Sequence, residues 1–93
     1  MTPTWTTAGV FTGAGGVRTD EAGIITGEVG VRTTWKDGQA HIAVQYGGAP
    51  EWCTMTGSPL SCSERASRTV HQSAVEAVRA GAAATARGIC PES

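Results

Sequence analysis

The side chains with the strongest intrinsic chemistry in this 93-residue chain are three cysteines and two histidines. Cys53, Cys62, His71 and Cys90 spell C-x8-C-x8-H-x18-C. Structural zinc sites bring their ligands as close pairs such as C-x2-C, which fold into compact knuckles. That pairing is missing, so no metal is expected. The odd cysteine count and the lack of a targeting signal argue against a disulfide framework, although one bridge among the three stays open. A cysteine nucleophile needs a histidine within hydrogen-bond reach. His71 lies nine residues after Cys62, more than two helical turns away, so those two cannot meet on one straight helix. His41 approaches Cys53 or Cys62 only in certain strand registers. Cys53 is therefore expected to serve as a small buried apolar residue, with Cys62 a second candidate for that role. No catalytic residue and no cofactor are assigned.

The remaining candidates are weaker. The glycine-rich stretch from Phe11 to Gly16 suggests a phosphate loop. It lacks the Gly-Lys-Ser/Thr ending, and Arg18 stands where G-x-G-x-x-G needs its third glycine. A flexible connector is the better reading. Asp20 and Glu21 have no second carboxylate partner of the kind a glycosidase cleft requires. Three tryptophans stand against one phenylalanine and one tyrosine. Tryptophan combines large contact area with one polar handle and is favoured in interface anchors. Trp35 is expected to cap the core edge, while Trp52 and Trp5 are candidate anchors.

The elements that must position these residues follow from pattern. The chain reads as one small domain over 1–93, with a partly loop-like segment over 1–23. Residues 2–12 favour a strand through their threonine, valine and aromatic content. Residues 13–23 read as a glycine-rich loop. Asp37-Gly38 suits a two-residue type I′ turn, whose central residues both take positive φ. That turn fixes a register in which Trp35 opposes Ala40, Thr33 opposes Ile42, Val31 opposes Val44 and Val29 opposes Tyr46. These residues then share one apolar face, because side chains alternate along a strand. Glu28, Arg32, Thr34, His41, Ala43 and Gln45 share the other.

A third strand is expected over 51–56. A four-residue loop before it turns Cys53 and Met55 inward and Trp52 outward; a five-residue loop reverses this. The four-residue loop is preferred. Ser61 to Glu64 has capping-box spacing. A helix should follow, burying a stripe of Ala66, Val70, Ala74, Ala77, Val78, Gly81 and Ala82, and exposing Arg65, Arg68, Gln72, Glu76 and Arg79. Gly81 either ends it or is passed on the way to Gly88; continuation is preferred. The fold class is thus α+β: an antiparallel sheet of three to four strands with one C-terminal helix on its apolar face.

A helix on one face leaves the other sheet face open. Arg32, Thr34, His41, Gln45 and Trp52 form the expected binding surface there, and an edge strand offers a second route. Net charge is −1, with seven basic and eight acidic residues. A nucleic-acid partner is disfavoured, because polyanion affinity comes from a basic excess. No run of about 18 apolar residues occurs, so no membrane span is expected. With no leader at Met1, a cytoplasmic location is expected.

Gly, Ala, Arg and Pro supply 37 residues, asparagine is absent, and six of the seven basic residues are Arg. Codon usage in a GC-rich genome produces that skew. The expected role is a non-catalytic interaction protein, an accessory product of a phage or mobile element of a GC-rich bacterium. It would bind or inhibit a host protein, or associate with itself as a homo-oligomer. The alternatives are a virion structural component or self-assembling subunit, and a small-ligand or enzyme module built on Cys53 or Cys62 with His41.

Overall fold

A computed structural model describes residues 2–89; Cys90 lies outside the described residues. Seven strands precede one long helix: β1 (Thr4–Phe11), β2 (Val17–Thr19), β3 (Gly23–Ile25), β4 (Glu28–Lys36), β5 (Gln39–Tyr46), β6 (Trp52–Thr54), β7 (Leu60–Ser61) and α1 (Glu64–Ala80). A 3₁₀ turn at Ala86–Gly88 follows. The main sheet is antiparallel and five-stranded, in the order β1-β4-β5-β6, with β7 also paired to β5. The α+β reading stands, with one strand more than the three to four expected and an additional two-stranded ribbon, β2-β3.

The Asp37-Gly38 turn has φ of 53° and 79°, the positive pair that matches the right-handed twist of the flanking strands. The β4–β5 register follows from it: Trp35 faces Ala40, Thr33 faces Ile42, Val31 faces Val44 and Val29 faces Tyr46. Six of the eight residues of the expected apolar face are buried. Trp35 is half-buried and donates from Nε1 to the Cys62 carbonyl at 2.9 Å. Tyr46, at the end of the strand, is 50% exposed. Gln45 pairs with Trp52 and Val44 with Cys53, the pairing a four-residue loop dictates. Met55 is accordingly fully buried.

The helix packs on this face, mostly against β4, β1 and β5. Val10, Val29, Val31, Ile42, Val44, Met55, Val70 and Val78 form the fully buried centre. Each such side chain contributes about 1.5–3 kcal/mol relative to exposure.

Two expectations for the ends of α1 are corrected. The helix cap is Ser63, whose Oγ accepts from the Ala66 N–H at 3.1 Å. Ser61 is instead held extended in β7 opposite Gln39. The helix does not continue to Gly88. It stops at Gly81, with φ 76°, because the loop after β1 takes the place of the next turn. Gly13 N–H donates to the Val78 carbonyl, and the N–H groups of Ala82, Ala83 and Ala84 donate to the carbonyls of Ala14, Gly15 and Gly16.

Residues 13–23 are therefore no loose connector. A Cβ on Gly13 would sit 2.5 Å from the Ala80 carbonyl oxygen, and one on Gly15 would sit 2.8 Å from Ala82 Cα. Glycine is needed where two backbones approach this closely. Val17–Thr19 then forms β2, which reaches the main sheet through a Thr19–Met55 bridge.

The buried stripe of α1 also differs. It comprises Ser67, Val70, His71, Ala74, Val75 and Val78. Ala66 and Ala77 are only partly buried and Ala82 is exposed. The stripe expected to be solvated, Arg65, Arg68, Gln72, Glu76 and Arg79, is exposed throughout.

Candidate functional site: the open sheet face

Strand alternation places the even-numbered residues of β4 on the face away from α1. Cross-strand pairs assemble rows there: Thr4, Thr34 and His41 in one, and Thr6, Arg32, Ala43 and Thr54 in the next. Gly30, Gln45 and Trp52 form a third. Arg32, Thr34, His41, Gln45 and Trp52 thus do share one face. Thr4, Thr6, Gly30 and Thr54 belong to it as well. The alternating threonines of the N-terminal segment were a signal for this, but only once β1 is known to pair with β4.

Trp52 is half-buried rather than projecting. Its ring reaches across β5, and Cη2 lies 3.4 Å from where a Cβ on Gly30 would stand. The missing side chain of Gly30 is the seat of the indole. The Arg32 guanidinium carbon sits 4.2 Å from the Trp52 ring centroid, within cation–π range. Among the described residues no carboxylate pairs with Arg32. The nearby acids on the far edge are engaged. Glu21 accepts from the N–H and Oγ1 of Thr54 at 2.6 and 2.9 Å, and Asp20 accepts from Thr56 Oγ1 at 3.0 Å. Those bonds, the Thr54 N–H above all, hold the Glu21 carboxyl below its ordinary value of 4.5. They also cover part of the outer edge of β6. The opposite edge, β1, pairs only with β4 among the described residues and carries a register shift between Thr7 and Val10.

A second cluster went unnoticed in the sequence. His71 is 6% exposed. Its Nδ1 lies 2.8 Å from Thr33 Oγ1 and its Nε2 lies 2.9 Å from Thr7 Oγ1. A groove of about 380 Å³ opens beside it, lined by Thr7, Gln72, Val75, Glu76 and Arg79. A hydroxyl, an imidazole and a third polar group in line resemble a nucleophile relay. Here the third group is a neutral threonine in place of a carboxylate, so among the described residues no carboxylate bonds the imidazole. Burial pushes the His71 pKa below its ordinary 6.5. The arrangement fits a clasp holding α1 to β1 and β4.

The cysteine readings separate by face. Cys53 belongs to the face of Val44, and His41 to the opposite one, so the sheet stands between them. Cys62 packs against the core ahead of the helix cap. Among the described residues, no three His, Cys, Asp or Glu side chains gather closely enough to hold a metal ion. No described helix is long and apolar enough to cross a membrane.

A third feature is a groove of about 410 Å³ between the ribbon and the β5–β6 loop, lined by Ile24, Ile25, Tyr46, Ala49, Glu51 and Cys53. Ile24 and Tyr46 are about half exposed, at 51% and 50%. Comparison of the chain with protein-family models, with curated proteins and with solved structures returns no match.

Proposed function

We propose that the chain is a non-catalytic interaction module that binds another protein through its open sheet face. The observation that carries this reading is the Arg32–Trp52 stack at 4.2 Å, seated on Gly30. Aromatic and arginine side chains dominate binding energy at protein interfaces. Here the two side chains are already stacked on each other, and such pre-organisation lowers the entropy lost on binding. Thr34, His41 and Gln45 supply a polar rim. The free edge of β1 offers backbone groups for strand addition beside the same face. The composition fits a GC-rich genome, and the role proposed with it is that of an accessory protein of a phage or mobile element acting on a host protein in the cytoplasm.

The test is affinity capture from a lysate of a GC-rich bacterium. The wild type is compared with the double variant Arg32→Ala/Trp52→Ala and with a control, Arg65→Ala/Arg68→Ala, on the helix. The expected result is a stoichiometric partner retained by wild type and control and lost by the double variant, all three giving the same circular dichroism. Identical capture by all three refutes the reading. Sedimentation of the purified chain tests the alternative of a self-assembling subunit: a stable oligomer abolished by the double variant would replace a host partner with a second copy.

A further inference from the structure

We infer that the Arg32–Trp52 stack is a seat for one carboxylate, an aspartate or glutamate side chain of the partner protein. This rests on the open face being the binding surface. The guanidinium is held against the Trp52 ring, and no described carboxylate claims its fork of donors. A charged group left without a counterion on an ordered surface is complementary to an opposite charge brought by a partner. Thr6 stands beside Arg32 across β1, and Thr34 follows two residues along β4. Among the described residues neither hydroxyl makes a hydrogen bond. One cation flanked by two hydroxyls, with an indole next to it, matches a planar carboxylate attached to an apolar stem. The fork takes both carboxylate oxygens, the hydroxyls take remaining lone pairs, and the stem packs on Trp52.

The same surface does not suit a polyphosphate chain. Affinity for nucleic acid comes from neutralising many phosphates, and among the described residues β1, β4, β5 and β6 bring only Arg32 and, at the far end of β4, Lys36 to this face. Glu28 lies on it too, opposite Phe11, and repels a second negative charge.

The experiment is an NMR titration of the ¹⁵N-labelled full chain with the capped peptide acetyl-Leu-Asp-Leu-amide, beside its Asn twin. The expected result is a saturable shift of the Arg32 Nε–H and Trp52 Nε1–H signals in the millimolar range. The Asn twin should be at least about tenfold weaker, the loss expected when a charge-assisted pair is removed. Arg32→Gln should abolish the response while its backbone spectrum stays that of the wild type. Arg32→Lys, which keeps charge and loses the fork, should fall between. Equal response to both peptides overturns the carboxylate assignment, as does no saturable shift, or shifts centred on Arg65, Arg68 and Arg79. Arg32-dependent self-association overturns the assignment to a separate partner. In the capture experiment, loss of the partner with Trp52→Ala but not with Arg32→Gln refutes this inference alone. Retention with both refutes the binding face itself.

Discussion

Thr33→Val is the sharpest probe of how the helix is held to the sheet. Thr33 is fully buried on β4, and its Oγ1 lies 2.8 Å from His71 Nδ1. Valine keeps the shape and removes only the hydroxyl. His71 Nδ1 then stays in the protein interior with no partner. Leaving a buried polar group unsatisfied costs about 1–3 kcal/mol. In a domain of this size that lowers the thermal midpoint by about 5–20 °C. Thr7→Val removes the other partner, at 2.9 Å on Nε2. The groove beside Thr7 lets water replace that hydroxyl, so the loss should be smaller, about 0.5–1 kcal/mol. The pH dependence has a definite sign. Burial holds the folded-state pKa of His71 below the ordinary 6.5, so between the two values the unfolded chain binds more protons. Stability is therefore full above pH 6.5 and is lost as the pH falls from there towards the folded pKa. The slope from this one group is at most about 1.4 kcal/mol per pH unit. Urea unfolding of the wild type, Thr33→Val, Thr7→Val and His71→Gln at several values between pH 5 and 8 measures all of this. A wild-type stability as flat as that of His71→Gln across this range, or a Thr33→Val variant as stable as the wild type, would show that the clasp does not hold the helix.

Other expectations concern the helix end and the ribbon. Gly13→Ala puts a methyl 2.5 Å from the Ala80 carbonyl oxygen at a residue whose φ is not in the left-handed region. Overpacking of about 1–3 kcal/mol should appear in chemical denaturation. Ala82 is exposed and holds φ 61°, so Ala82→Gly should stabilise by about 0.5–1 kcal/mol, the left-handed penalty less the extra entropy of glycine. A lower midpoint than wild type would contradict the observed chain path. Glu21 is held below 4.5 by its bond from Thr54 N–H. The ribbon's tie to β6 should therefore persist at pH 4.5 and be lost as the pH falls through the folded pKa. Following the Thr54 amide by NMR checks this, and a midpoint at or above 4.5 counts against it.

What the sequence made legible, and what it hid, divides by the kind of interaction. Asp37-Gly38 constrains φ at two residues, and strand alternation carries that local constraint along the whole of β4 and β5. The part of the open face that β4 and β5 contribute follows from two residues of turn chemistry. The end of α1 is set differently. Ala82–Ala86 favours helix by intrinsic propensity, but the carbonyls of Ala14, Gly15 and Gly16 capture the N–H groups that the helix would have used. Such backbone-to-backbone contact leaves only glycines in the sequence, and glycines read equally well as a flexible linker. His71 was hidden for a related reason. A polar residue counts against the apolar stripe unless its partners are known, and Thr7 and Thr33 are 64 and 38 residues away in sequence.

The same accounting separates the internal polar groups from those of the open face. Among the described residues, no buried side-chain nitrogen or oxygen lacks a hydrogen-bond partner. His71, Thr33, Ser67 and Thr19 are all satisfied within the chain: the first two join α1 to the sheet, Thr19 joins β2 to β3, and Ser67 bonds back to Glu64 in the first turn of its own helix. Their chemistry is spent on folding. The Arg32 guanidinium differs, because it stacks on the Trp52 ring while no carboxylate among the described residues takes its donors. The chain also forgoes a side chain at Gly30, in the middle of a nine-residue strand, where glycine weakens the strand. The fold gains little from that concession beyond a seat for the Trp52 indole, since cation–π stacking at an exposed site contributes only about 0.5–1 kcal/mol. A strand that accepts glycine and holds an arginine and a tryptophan in place on its uncovered side is the feature on which the proposed binding role rests.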